Sequence, residues 1–105
     1  MRPRSGKYNA KRTNGFASKH EADIAAKLTA LEKAGKIMDL QFQVPFVLVE
    51  GCGKVRDIKY VADFVFHEGT YDNYVVADAK GCKTPVYLLK KKLMYLLLGI
   101  EVEEM

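Results

Sequence analysis

Two apolar runs decide the fold of this chain: YVVADAKG, residues 74–81, and YVADFVF, residues 60–66. Each run is rich in residues that favour β-strands, and each contains one carboxylate, Asp78 or Asp63. Residues two apart in a strand point to the same face, so Asp78 and Lys80 share a face. An acid and a base inside a run suited to burial require an explanation, and function is one.

The two runs predict a β-hairpin, with strands over residues 58–67 and 74–80. A turn centred on Thr70 and Tyr71 sets Asp63 opposite Asp78 on one face of the sheet. Two carboxylates in that position repel each other. A divalent cation reverses the sign of the interaction, because hard oxygen ligands are those that Mg²⁺ prefers.

The first predicted helix begins at Ser18, which forms a capping box with Glu21, and ends near residue 34 before Gly35. Its apolar stripe consists of Ile24, Ala25, Leu28 and Leu31. Extending that stripe by one turn toward the N-terminus reaches Glu21, which therefore heads the buried face. On spacing alone Glu21 could also serve only the capping box, and the two roles are compatible.

The second predicted helix has Thr84 as N-cap and Pro85 at its first position, and it ends at Gly99. Its predicted apolar face is formed by Leu89, Leu93 and Leu96 or Leu97, with lysines 90–92 toward the other side. Residues 37–50 alternate as a long strand or pair of strands, in which Pro45 indicates a sheet edge or a bulge. Residues 100–102 predict a short last strand.

Composition indicates a soluble globular protein: 49% of the 105 residues are hydrophobic and 29% are charged. The net charge of +4 is unevenly distributed. Six Lys or Arg residues precede Glu21, and four lysines lie between Gly81 and Ile100, without any carboxylate in either segment. Such segments favour a polyanionic partner, although solvated basic surfaces are the alternative interpretation.

Residues 1–15 contain almost nothing apolar and predict a flexible basic arm. The chain length predicts a single domain, over residues 16–105. Cys52 and Cys82 lack metal-ligand spacing and fit a reducing cytoplasm. No signal peptide is visible, and the longest apolar run, residues 93–100, is too short to cross a bilayer. We therefore expect a cytoplasmic protein without a membrane partner.

These residues resemble the PD-(D/E)xK nuclease superfamily. Asp63, fourteen intervening residues, Asp78-Ala79-Lys80 and a preceding helix with Glu21 match its motif, and the αβββαβ order agrees with it. The segments around these residues, together with Gln43-Val44-Pro45-Phe46, look like a family of small phage and prophage proteins. Those proteins are related to phage Holliday-junction resolvases and to the nuclease subunit of some transposases. The likeness spans roughly residues 16–103.

The resemblance implies an α/β fold with a restriction-endonuclease-like core, in which helices flank a central mixed sheet. It implies that Asp63, Asp78 and the main-chain carbonyl of Ala79 ligate Mg²⁺, with Mn²⁺ as an alternative. Lys80 would be the catalytic lysine, and Glu21 the helix-borne acid and a further metal ligand.

Two positions depart from the motif of that superfamily. Ala62 stands where the motif has proline, and Asp78 stands where glutamate is more frequent and would reach further toward a metal. The alternative interpretation of Asp63 is an ordinary ion pair with Lys80. The role of Gln43 is left open, either near the site or filling a strand face.

We therefore expect a Mg²⁺-dependent endodeoxyribonuclease that acts on phage DNA in the bacterial host cytoplasm, and on branched structures such as Holliday junctions. A nuclease on plain duplex and a non-catalytic nucleic-acid-binding protein are the alternatives. A homodimer follows if branched DNA is the substrate, because two symmetric strands must be cut. The expected DNA-contacting residues are Arg12, Lys19, Lys83, Tyr87, Lys90 and Lys91. Solvated surface or core packing is the equal alternative for the last four.

Overall fold

The computed structural model describes residues 18–79 and 83–105. The elements are α1 (Lys19–Lys33), β1 (Ile37–Val49), β2 (Ile58–Glu68), β3 (Tyr74–Asp78), α2 (Pro85–Leu98) and β4 (Glu103–Glu104). This order confirms the predicted αβββαβ arrangement. The predicted basic arm over residues 1–15 lies outside the described residues, as do Arg12, Lys80 and Cys82.

Both helices begin and end where the capping signals predict. The Ser18 hydroxyl accepts a hydrogen bond from the Glu21 N–H at 3.1 Å, and the Thr84 hydroxyl accepts one from the Tyr87 N–H at 3.1 Å. Each bond satisfies one of the N–H groups that lack a partner in the first helical turn. α2 ends at Gly99, whose φ of 71° is the left-handed conformation that glycine adopts without strain.

The sheet has the strand order β1-β2-β3-β4. β1, β2 and β3 pair antiparallel, and β4 pairs parallel to β3, so the sheet is mixed as expected. Phe64 pairs with Ala77, and one further step along both strands sets Asp63 beside Asp78. The predicted hairpin register is thereby confirmed. Pro45 lies in β1, an edge strand, where its missing N–H is tolerated.

The last strand lies later in the chain than predicted. Residues 100–102 precede β4, and the pairs with β3 are formed by Glu103 and Glu104. Val102 is instead buried in the core at 3% exposure. The alternation at residues 100–102 therefore indicated a segment that packs into the core through Val102, and not a strand.

Two apolar clusters cover opposite faces of the sheet. α1 packs Ala25 and Leu28 against a cluster that also contains Ile37, Phe64, Phe66, Val75 and Ala77. α2 packs Tyr87 and Met94 against a cluster that also contains Leu48, Tyr60, Ala62, Val65, Val76 and Val102. Because neighbouring strand residues alternate in direction, the two helices lie on the two sides of β2 and β3.

The predicted apolar face of α2 was right at Leu93, which packs partly buried against the α2 cluster, and wrong at the other leucines. Leu89, Leu96 and Leu97 are exposed at 56%, 66% and 50%, whereas Tyr87 and Met94 are buried. α2 carries apolar residues around most of its circumference, so its pattern does not select which side packs. On α1, Leu31 is exposed at 37%, although it was predicted in the buried stripe.

The inward-facing side chains of edge strand β1 change from one face of the sheet to the other at Gln43. Leu40 packs against the α1 cluster, and the Phe42 ring meets Phe64 of that cluster edge to face at 5.8 Å. Val44 and Phe46 pack against the α2 cluster instead. These residues have even numbers and would share one face in a regular strand. Gln43 adopts a left-handed backbone with φ of 54°, which changes the face that the strand presents.

The neighbouring strand β2 changes face at the same level. Ala62 lies in the α2 cluster, whereas Phe64, two residues further, lies in the α1 cluster. Asp63 stands between them, in the step of β2 that lies beside Gln43. The position at which both strands change face is therefore also where the predicted acidic residues lie.

Within the described residues, neither helix is long and apolar enough to span a membrane.

Candidate functional site

Asp63 and Asp78 are joined by hydrogen bonds between side chain and backbone, at the end of the β2–β3 ladder. The Asp63 N–H donates to Asp78 Oδ1 at 2.9 Å, and the Ala79 N–H donates to Asp63 Oδ2 at 3.0 Å. Each carboxylate thus accepts a backbone N–H from the other strand. The two acids are held side by side by the backbone of both strands, which is the arrangement that the register predicts.

Glu21 joins this pair through Gln43. The Gln43 side-chain nitrogen donates to Glu21 Oε2 at 3.0 Å and lies 3.3 Å from Asp63 Oδ1. An amide nitrogen carries two hydrogens, so one nitrogen can serve both carboxylates. The fold thus brings Glu21, Asp63 and Asp78, which are 57 residues apart at the extremes of the sequence they span, into one connected group. We call these three acids and Gln43 the acid site.

Two acids of this site, Glu21 and Asp78, are withdrawn from solvent, whereas Asp63 is half-buried. Asp78 is 0% exposed and Glu21 is 7% exposed, and among the described residues they are the two buried charged side chains. Burying a carboxylate disfavours its charged form unless hydrogen bonds or a nearby cation compensate. The chain maintains this arrangement although an uncharged core would pack with less penalty, which favours a functional role.

The donor set of the acid site fits Mg²⁺ chemically. Mg²⁺ is commonly bound through one or two carboxylates, with waters and substrate oxygens completing its octahedral shell. Asp63 and Asp78 supply two such carboxylates. Within the described residues, no three His, Cys, Asp or Glu side chains form a group that could hold a metal ion. Glu21 is therefore connected to the pair by Gln43 and not by direct clustering.

A second polar group lies on α2 and β4 around Glu104. Its carboxylate accepts hydrogen bonds from the Tyr87 hydroxyl at 2.8 Å and the Lys91 Nζ at 3.1 Å, and it pairs with the Lys83 Nζ at 2.9 Å. We call these four residues the Glu104 cluster. Hydrogen bonds from Lys83, Tyr87 and Lys91 lower the pKa of Glu104 to about 2.

Tyr87 connects the two groups electrostatically. Burial raises the pKa of its hydroxyl, and the charges of Glu104, Asp78 and Asp63 raise it further. Tyr87 therefore remains a protonated donor, and it packs in the core at 7% exposure. Sequence reasoning proposed Lys83, Tyr87 and Lys91 as DNA contacts but missed Glu104, which engages all three. The available signal was the group of acids, Glu101, Glu103 and Glu104, that follows the lysine-bearing helix.

A third feature is an open basic groove of about 560 Å³, lined by Arg56, Asp57, Lys59, Val61 and Lys90. The Asp57 carboxylate accepts a hydrogen bond from the Gly51 N–H at 2.8 Å. In the part of the chain that the structure describes, Arg56, Lys59 and Lys90 form no ion pair. Lys90 was an expected DNA contact, whereas sequence reasoning missed Arg56 and Lys59. They stand within residues 54–59, where Asp57 interrupts the basic residues.

The remaining expected DNA contact, Lys19, pairs with Asp23 at 3.0 Å on the exposed surface of α1. Both side chains are largely solvated, at 80% and 61% exposure, so the pair contributes little to stability.

The fold and the acid site define a small α/β protein with two helices around a mixed sheet and a group of acids between its strands. The chain belongs to the family described as "Protein of unknown function (DUF1064)", which matches residues 5–98. No curated protein and no solved structure matches the chain.

Proposed function

We propose that this protein is a Mg²⁺-dependent endodeoxyribonuclease of the PD-(D/E)xK type. The observation that carries the proposal is the interlocked pair Asp63 and Asp78, joined to Glu21 through Gln43. Two carboxylates held by hydrogen bonds on adjacent strands are a donor set through which Mg²⁺ is commonly bound, with waters completing its shell. The resemblance to the nuclease motif assigns the same three acids.

The reaction is hydrolysis of a phosphodiester. Water adds to phosphorus, the bond to the leaving oxygen breaks, and the strand ends carry a phosphate and a hydroxyl. A bound Mg²⁺ would polarise the phosphoryl oxygen and lower the pKa of a bound water. Asp63 and Asp78 would hold the cation, and Glu21 would accept a proton or fix the position of the attacking water. Lys80, two residues after Asp78, would stabilise the charge that develops on phosphate.

The basic groove supports a nucleic-acid substrate and suggests where its backbone would lie. Val61 lines this groove and stands two residues before Asp63 in β2. A DNA strand that crosses Arg56, Lys59 and Lys90 would therefore run beside the acid site. Lys83 and Lys91 are partly neutralised by Glu104, so we expect them to contribute less to phosphate binding than the basic residues of the groove.

Branched phage DNA, such as a Holliday junction, is the substrate that we favour from the resemblance. Cutting two symmetric strands requires two copies of the chain. The exposed leucines of α2 (Leu88, Leu89, Leu96 and Leu97) offer an apolar surface for that contact. Simple nicking of duplex DNA is the alternative that a monomer would perform.

The test is cleavage of a four-way junction and a matched linear duplex by the full chain, with Mg²⁺ or with EDTA. We expect Mg²⁺-dependent cleavage, faster on the junction, that falls roughly 100-fold or more in Asp78→Asn and Lys80→Ala. Asp72→Asn, an exposed aspartate in the β2–β3 turn, is the matched control and should cleave as the wild type does. Equal activity in all variants, or cleavage in EDTA, would sink the proposal. Equal rates on both substrates would favour the duplex alternative.

A further inference from the structure

Gln43 combines a strained backbone with a contact to two acids. Its φ of 54° lies in the left-handed region, which residues other than glycine, asparagine and aspartate rarely adopt. Residues held in such conformations cluster at functional sites, where the surrounding structure maintains the strain. In this chain the strained residue stands at the step where β1 and β2 both change face.

The strained conformation coincides with the contact that its side chain makes. Gln43 lies beside Asp63 across the β1–β2 ladder, and its amide nitrogen bridges Asp63 Oδ1 and Glu21 Oε2. Two carboxylates repel at this range, and the amide hydrogens offset that repulsion. The amide nitrogen therefore lies between the two carboxylates, at a position where their negative charges would also stabilise a positive charge.

We infer that Gln43 is a positioning residue of the acid site, which fixes Asp63 relative to Glu21 so that Asp63 and Asp78 bind a divalent cation. The inference rests on the proposed function, because it assumes that the acid site takes such a cation. The left-handed backbone aims the amide, and the amide sets the separation of the acids. Side chains that orient metal ligands typically change metal affinity 10- to 100-fold when they are removed.

Two neighbours in β1 provide matched controls. Asp39 has nearly the same backbone conformation, with φ of 53°, but it is exposed and makes none of the bonds that join the acids. Gln41 is an exposed glutamine two residues before Gln43 and pairs with Val65. Asp39→Gly relaxes a left-handed backbone outside the acid site, and Gln41→Ala removes an amide outside it.

The experiment is calorimetric titration of Mg²⁺, and of Mn²⁺, into the full-length wild type and four variants. Melting temperatures of the same proteins are measured in EDTA. Gln43→Ala should bind either cation roughly 10- to 100-fold more weakly than the wild type. It should also melt lower in EDTA, while Gln41→Ala changes neither quantity. Asp39→Gly should melt higher and bind the cations normally.

Gln43→Gly distinguishes the effect of losing the amide from the effect of relieving the backbone strain. Glycine removes both the strain and the amide, so this variant should melt higher than Gln43→Ala yet bind the cations as weakly. Recovery of cation affinity in Gln43→Gly, or unchanged affinity in Gln43→Ala, would overturn the inference. Wild-type protein that binds Mg²⁺ but leaves DNA intact would overturn the proposed function alone. Wild-type protein that binds neither cation would overturn both.

Discussion

Two acids that face each other across the β3–β4 ladder have opposite surroundings. Asp78 and Glu104 are register partners, and each is the last residue of its strand. Asp78 is 0% exposed and joined by backbone N–H bonds to Asp63, a second acid. Glu104 is exposed and accepts bonds from two lysines and a tyrosine. The same chemical group is thus kept among acids on one strand and among cations on the next.

The described contacts of the two acids differ in their donors. The lysines and Tyr87 surround Glu104, so it has the character of a structural residue that ties β4 to α2. Backbone N–H groups and the Gln43 amide position the carboxylates of the acid site. If Mg²⁺ binds as proposed, it binds at the acid site and not at Glu104.

The largest expected effect is stabilisation by Mg²⁺. A ligand present at 100 times its dissociation constant raises the free energy of unfolding by about 2.7 kcal/mol if it binds the folded state alone. We expect this increase in wild type and in Glu104→Gln, and its loss in Asp63→Asn. Denaturant unfolding with and without Mg²⁺ measures it. Equal stabilisation of Asp63→Asn would break the distinction between the two acids.

A smaller effect is expected from Glu21→Gln in metal-free protein. Glutamine can accept the same bond from Gln43 without placing a buried charge beside Asp63. We therefore expect the free energy of unfolding in EDTA to rise by about 1 kcal/mol, because a buried carboxylate costs more to desolvate than an amide. The increase should disappear at saturating Mg²⁺. A decrease in EDTA would mean that Glu21 is chiefly a structural acid of the α1 N-terminus.

The smallest effect concerns the pH dependence of the Glu104 cluster. Because the folded-state pKa of Glu104 is lowered from 4.5 to about 2, its contribution to stability is present above pH 4.5. That contribution is lost as pH falls from 4.5 through 2. The melting temperature of wild type should therefore exceed that of Glu104→Gln at pH 6, and the difference should close by pH 2. A constant difference would show that Lys83 and Lys91 do not act on its charge.

Much of the fold follows from local signals in the sequence. Ser18 and the Thr84-Pro85 pair begin the helices, and Gly99 ends α2, because capping depends on residues within one turn. The hairpin register follows from the length of a short turn, and that register alone sets Asp63 beside Asp78. The acid pair was therefore within reach of sequence reasoning.

Other features depend on contacts that no local pattern encodes. The left-handed Gln43 is invisible in the sequence, since glutamine carries no preference for that conformation. The Tyr87–Glu104 bond joins residues 17 positions apart and follows only from the placement of β4. The packing side of α2 was misjudged because Leu89 and Leu96 have the same character as the buried Met94.

The most direct test of the acid site compares Asp63→Asn with Glu104→Gln in one assay of supercoiled plasmid and Mg²⁺. The account predicts that Asp63→Asn loses cleavage, while Glu104→Gln cleaves at least as fast as wild type because its substitution releases two lysines. Cleavage by Asp63→Asn at the wild-type rate would contradict the account.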